Sequence, residues 1–273
     1  MKTSLGVNGF PRVRLPRFKP RVILSTLREG LFPEGCALCG RNLKPGTDAF
    51  YGLCGPCREG LDPPDMAARR CSLCGQPLIS EAETCLDCRN GPERSFDRIL
   101  PLFPYTGKYR KLLGAYKFGG RLSLGNFFAR QLRRGLETLS REMAGTEGNA
   151  GPGEWPLWIP VPPRPGKIKT AGWDQIAYLA KLLKETAGPG KARPRGCLRR
   201  LPSETQKTLS REGRLRNLKD RIVLKKGAAA EAVPRGAILF DDVYTTGATM
   251  DACARALKSW GVRRVYGICL CRD

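Results

Sequence analysis

Twelve cysteines and no histidine bound the chemistry open to this 273-residue chain. Without an imidazole there is no Ser-His-Asp triad, no Cys-His pair and no imidazole general base. Any zinc must be held by thiolates, with carboxylates as the remaining donors. Eight of the cysteines form four C-x-x-C pairs: Cys36/Cys39, Cys54/Cys57, Cys71/Cys74 and Cys85/Cys88. A C-x-x-C turn sets two sulfurs on one side of a tetrahedral metal, and a facing turn completes the shell. The spacing therefore predicts two structural zinc sites, each of four thiolates. Chain order gives Cys36, Cys39, Cys54 and Cys57 for one, and Cys71, Cys74, Cys85 and Cys88 for the other. Spacing alone leaves an interleaved pairing open. The segment also repeats itself, CALCG at 36–40 against CSLCG at 71–75. Cys197, Cys253, Cys269 and Cys271 lack ligand spacing and read as packing residues.

A second constellation lies near the end of the chain. Residues 237–250 read AILFDDVYTTGATM: an apolar strand, two acids, a Thr/Gly loop, then a helix. Such a loop at the carboxyl end of a parallel strand is where α/β folds bind ligands. Thr245, Thr246, Gly247, Ala248 and Thr249 can turn amides and hydroxyls toward one phosphate at the helix start. Gly247 lets the backbone come close. Asp241 and Asp242, one loop away, can accept hydrogen bonds from adjacent sugar hydroxyls. Val161-Pro162-Pro163-Arg164 is the local candidate for a second anion loop, with Arg164 and Lys167 as cations and a proline pair able to fix an unusual backbone, even a cis bond.

The elements that must carry these groups follow from periodicity. Strands are expected at 98–105, 157–161, 237–240 and 264–270, and helices at 109–118, 122–139, 175–186 and 248–260. Strands alternating with helices argue for a mainly parallel α/β sheet. Residues 36–88 are too poor in apolar residues for an independent core. Residues 1–30 read as a loose arm with a short helix near 22–28, and 144–153 as a flexible loop. The division is a basic arm over 1–33, a double zinc ribbon over 34–94 and an α/β domain over 95–273.

The stretch 237–250 closely resembles the phosphoribosyl pyrophosphate (PRPP) motif of type I phosphoribosyltransferases. The series also includes the cysteine framework, SFDRILPLFPYTGKYRKLLGAYKFGG, IPVPPRP, AGWDQIAYLAKLL and TQKTLSREGRLRNL. Over about residues 34–273 it resembles the ComF family, a competence-associated group with a phosphoribosyltransferase-like domain behind a double zinc ribbon. The resemblance implies a type I phosphoribosyltransferase-like parallel sheet with helices on both faces. It implies that Asp241 and Asp242 bind the ribose hydroxyls and residues 245–249 the 5-phosphate, with Mg²⁺ accompanying PRPP. Two departures stand out. The family's Arg-Gly-Phe-Asn-Gln is Ala171-Gly172-Trp173-Asp174-Gln175 here, which removes a positive group near the expected pyrophosphate. Its Ser-Gln is Thr205-Gln206.

Charge points to a polyanion. Forty-eight Lys and Arg face twenty-five Asp and Glu, for a net charge of +23. Residues 191–226 alone carry thirteen basic and three acidic side chains. Such a field attracts nucleic acid or phosphorylated metabolites. Aromatic residues are not interleaved with the basic runs, so no stacking platform for single strands is legible. Trp155, Trp158, Trp173 and Tyr244 read as core or rim; Lys117, beside Phe118 in a Gly-flanked turn, reads as a helix cap in preference to a contact for a flat base. Residues 206–217 read as a lid over phosphates, a nucleic-acid-facing strip or a solvated helix face. No apolar run reaches membrane-spanning length and no signal-peptide core opens the chain. The expected setting is the cytoplasm, where thiols stay reduced. The resemblance and the charge together imply a role in DNA uptake, transformation or recombination. Single-stranded DNA, PRPP or a related phosphosugar, and DNA-processing proteins are the implied partners. The other reading is an active phosphoribosyltransferase of nucleotide metabolism.

Overall fold

The computed structural model describes residues 35–61, 69–80, 83–145, 156–187, 192–202, 221–229 and 232–273. The basic arm, the expected helix near 22–28 and the strip 206–217 lie outside the described residues, as do Thr205, Gln206, Trp155 and residues 146–153 of the expected loop.

Four strands form one wholly parallel sheet in the order β1-β6-β5-β2. They are β1 (Arg98–Pro104), β2 (Leu157–Pro160), β5 (Gly236–Tyr244) and β6 (Arg264–Arg272). A separate antiparallel pair joins β3 (Leu198–Arg200) to β4 (Ile222–Leu224). β5 and β6 are apolar almost throughout because both sheet faces are covered, as parallel sheets require. Ile238 and Phe240 enter one core cluster and Ala237 and Leu239 the other, following the period of two along a strand. β1 carries Pro101 and Pro104, tolerated because it is an edge strand.

One face is covered by α4 (Gly107–Lys117), α5 (Leu124–Gly145) and α7 (Gln175–Glu185). In α5, Leu124, Phe127, Phe128, Leu132, Leu136, Leu139 and Met143 recur at helical spacing and are buried. Trp158 of β2 is fully enclosed beneath it and donates its indole N–H to Ser140 Oγ at 3.0 Å. The other face is covered by α9 (Ala248–Ser259) and the β3–β4 pair. The remaining short helices among the described residues are α1 (Thr47–Tyr51), α2 (Gly55–Glu59), α3 (Leu86–Arg89), α6 (Lys167–Ala171) and α8 (Lys226–Ala229). No helix among the described residues is long and apolar enough to cross a membrane.

The cysteine-rich segment does not sit apart from this core. Cys36, Leu53, Cys54 and Leu61 join the cluster under α4 and α5, whereas Cys71, Cys74 and Cys85 join the one under α9. Lys111 of α4 donates to the Leu38 carbonyl at 2.7 Å, and Lys108 donates to that of Gly60. The first half thus packs on the helices of one side of the sheet, and the second half joins the core of the other side.

Candidate functional site

Two groups of four thiols come together in chain order: Cys36, Cys39, Cys54 and Cys57, then Cys71, Cys74, Cys85 and Cys88. Within each group every sulfur lies within 4.8 Å of the others. Cys39 Sγ lies 3.7 Å from Cys54 Sγ, and Cys74 Sγ lies 3.6 Å from Cys85 Sγ. A tetrahedral zinc with bonds of ~2.3 Å requires sulfurs about 3.8 Å apart, so both groups fit the ion. The internal repeat is structural as well. Cys36 N–H donates to the Arg41 carbonyl at 2.7 Å, and the Cys36 carbonyl accepts Gly40 N–H at 2.9 Å; Cys71 does the same with Gln76 and Gly75 at 2.7 and 2.9 Å. Gly40 and Gly75 turn each knuckle in the left-handed region, with φ of 76° and 69°. Burial raises the Cys36 thiol, but the amides of Cys39, Cys54 and Leu38 outweigh it and hold it at about 6. The same amide pattern holds Cys71 at about 7. Thiolate is the form a metal takes. The other four cysteines are buried and free, as packing residues are.

A cavity of about 630 Å³ opens at the carboxyl ends of β2 and β5. Asp241, Asp242, Thr245, Thr249 and Arg164 all line it. Thr246, Gly247 and Ala248 are not among the residues that line it: Thr246 and Gly247 lie in the bend after β5, and Ala248 opens α9. Thr246 Oγ1 accepts the Ala248 amide at 3.4 Å, and Gly247, with φ 75°, is the residue before α9. The first amides of that helix have no intrahelical acceptor. Pro162 and Pro163 line the cavity, and no cis bond occurs among the described residues.

Two expectations are corrected here. The strand expected at 237–240 is longer and takes in Asp241 and Asp242. β5 runs on to Tyr244, with Asp241 opposite Cys269 and Val243 opposite Cys271 of β6. The pair stays in register because β6 offers ladder partners that a single segment cannot reveal. Lys117 does not merely end its helix. Its ammonium enters the cavity and lies 2.8 Å from Asp242 Oδ2.

The cavity also holds Asp174 and Gln175, which spacing did not single out, beside Lys167, which it did. Gln175 Nε2 donates to Asp242 Oδ2, and Gln175 Oε1 accepts from Lys167. Lys167 Nζ lies 2.6 Å from Asp174 Oδ2, and Asp174 Oδ1 caps α7 by accepting the amides of Ile176 and Ala177 at 3.0 and 2.9 Å. A chain of polar contacts thus runs from Lys117 through Asp242, the neutral Gln175 amide and Lys167 to Asp174. An Asp just before an apolar periodic segment was the one signal for this cap. Arg200 of β3 lines the same cavity. Desolvation first, then the charge of Arg164, makes its proton easier to lose. Four cations (Lys117, Arg164, Lys167, Arg200) therefore face three carboxylates (Asp174, Asp241, Asp242). Burial first, then the Asp242 carboxylate, pushes Asp241 up to about 8. Ala171, where the resembling family has arginine, lines the cavity too.

An arginine–aromatic cluster lies on the first ribbon. The guanidinium groups of Arg58 and Arg130 stand 5.3 and 5.8 Å from the Tyr51 ring, and Arg130 donates to the Tyr51 hydroxyl at 3.1 Å. Phe50, half exposed, meets Tyr51 edge-on at 4.9 Å. Phe50, Tyr51 and Arg58 lie close in the chain, but Arg130 comes from α5, 79 residues beyond Tyr51, so no interleaved pattern announced the cluster.

Residues 27–89 match the model of the double zinc ribbon domain family. The chain is 28% identical over 224 residues to competence protein ComFC of Bacillus subtilis, covering 80% of this chain and 81% of that protein. It is 25% identical over 231 residues to competence protein F of Haemophilus influenzae, covering 84% and 93%. It is 26% identical over 240 residues to DNA utilization protein YhgH of Salmonella typhimurium, covering 88% and 97%.

Proposed function

The chain belongs to the ComF family, and from that membership we propose that it acts in DNA uptake, transformation or recombination in the cytoplasm. In this reading it holds single-stranded DNA on a basic surface and PRPP or a related phosphosugar in a type I phosphoribosyltransferase-like pocket. The observation that carries the phosphosugar half is one cavity lined at once by Asp241, Asp242, Thr245, Thr249 and Arg164. An acidic pair for hydroxyls beside a helix start and cations for phosphate is a donor set matched to a sugar phosphate. The strand half draws on the net charge of +23 and on the cluster of Arg58, Arg130, Tyr51 and Phe50. Arginine and aromatic faces together suit an unpaired strand.

The test has two arms on zinc-loaded protein. PRPP and ribose 5-phosphate are titrated by calorimetry, and a labelled oligonucleotide is titrated across a salt series. Saturable binding of the phosphosugar is expected, with a log-log salt slope of about −0.7 per strand phosphate engaged. No heat with either sugar phosphate refutes the pocket assignment, and a flat salt dependence refutes the strand assignment. Pyrophosphate release from PRPP with a panel of bases would move the chain to the transferase reading.

A further inference from the structure

We propose that this pocket carries its own cation, Lys117, and takes a sugar phosphate without a divalent metal. The inference rests on the phosphosugar reading and asks how the charge in that pocket is balanced.

A magnesium ion at such a site is bound through one or two carboxylates together with phosphate oxygens and water. The carboxylates here are already committed to the protein. Asp242 Oδ2 takes the Lys117 ammonium at 2.8 Å and the Gln175 amide, and Asp242 Oδ1 takes the Val243 amide at 2.7 Å. Asp174 Oδ1 takes two backbone amides, and its Oδ2 takes Lys167. Asp241 Oδ1 takes the Asp242 amide at 2.8 Å. Among the described residues Asp241 Oδ2 is the one carboxylate oxygen of the three that takes no bond from the protein, and the others already face cations or amides, which is a poor set for an ion that demands near-octahedral oxygen donors. The donor set does not fit the metal that the resemblance implied.

Lys117 supplies what the metal would. An ammonium has three donors, and only one is spent on Asp242. The side chain is four-fifths enclosed, and its nitrogen sits 5.8 Å from the Phe118 ring at the lip of the cavity. Among the described residues no second acceptor takes the ammonium, so two protons remain for ligand hydroxyl or phosphate oxygens. Lys167, Arg164 and Arg200 add the charge that phosphate needs. Lys117 also positions Asp242, holding its carboxylate toward the place where ribose hydroxyls would lie.

The experiment titrates PRPP into zinc-loaded wild-type, K117R and K117M protein. Buffers are freed of magnesium on a chelating resin, with and without added MgCl2; soluble chelators are avoided because they would strip the ribbons. Wild-type affinity is expected to change by less than about threefold on adding magnesium, the scale of ordinary ionic screening. K117R keeps the positive charge and should bind more tightly than K117M in the metal-free buffer. K117M should lose about tenfold in the metal-free buffer, the worth of one charge-assisted contact, and regain it with magnesium. Zinc content and melting temperature check that each variant is folded. Wild-type binding that appears only with magnesium overturns the inference and leaves the phosphosugar reading standing, as does K117M binding like wild type without it. No wild-type binding in either buffer overturns the phosphosugar reading itself.

Discussion

Lys117 and Gln175 converge on the same carboxylate oxygen of Asp242, one from the end of α4 and the other from the start of α7. Gln175 also receives Lys167, so it links the acidic pair to the lysine beside the α7 cap. Gln175→Leu keeps much of the volume and removes both bonds. The expected loss is about 1–3 kcal/mol of stability, because two charged groups forfeit a buried partner. Urea unfolding measures it, and an unmoved midpoint would mean the bond contributes nothing.

Asp241 is held protonated well above its ordinary range by burial and then by Asp242. The folded chain keeps this proton up to about 8, while the unfolded chain releases it near 3.8. The folded state binds more protons in that window, so this group's stabilising contribution falls as pH rises through it. Asp241→Asn removes that dependence. The melting-temperature gap between variant and wild type should widen from pH 5 to pH 8 in favour of the variant, by roughly 2–4 °C per kcal/mol. Cys36 and Cys71, at about 6 and 7, titrate in the same window, so the difference between variant and wild type carries the test rather than either curve alone. PRPP affinity should fall in the same variant, and a gap independent of pH would refute the assignment.

At Gly247 the backbone has φ 75°, and an added Cβ would lie 2.5 Å from the Tyr244 hydroxyl. Tyr244 is buried against Phe96 and beneath Arg272, so it has little room to yield. Gly247→Ala should cost more than about 1 kcal/mol and weaken phosphate binding together. Thermal melting and calorimetry read the two effects. A variant as stable as wild type would mean the turn relaxes freely.

Cys71→Ser should lower bound zinc from two ions per chain to one. Because Cys71 shares a cluster with Ile99, Leu239 and Cys269, the damage should reach the sheet. Calorimetric scanning is expected to give one transition at a lower temperature. Two separate transitions would mean that the ribbon unfolds as a unit of its own.

The cluster on the first ribbon separates charge from stacking. Arg130→Ala should weaken oligonucleotide binding and reduce the salt slope by about 0.7. Phe50→Ala should cost about 1–3 kcal/mol of stacking and leave the slope alone. Salt-series titrations of both variants decide, and unchanged affinity in both would remove this face from the interface.

Metal ligands were legible because their spacing is local: each C-x-x-C carries its geometry within four residues. The strand at 237–240 was legible because a run buried on both faces is apolar at every position. Its extension through Asp241 to Tyr244 was not, since those residues are held by β6 rather than by their own pattern. β3 and β4, three residues each inside a basic stretch, leave no alternation to detect. Lys117 and Arg200 were missed as pocket residues for the same reason. Nothing near Lys117 in sequence announces Asp242, and only the packing of α4 over the sheet joins them.

The second knuckle has a consequence beyond zinc. Leu73 accepts the amide of Ile99 at 2.7 Å along the outer margin of β1, and a Cβ on Gly75 would strike Ile99 O and Pro101. That strand pairs on its other side with β6, so the knuckle is what closes the sheet there. A bare margin of unpaired amides and carbonyls is a template for joining other chains. Starved of zinc, the protein would therefore be expected to stick to its own copies, which makes metal supply a condition of staying dispersed.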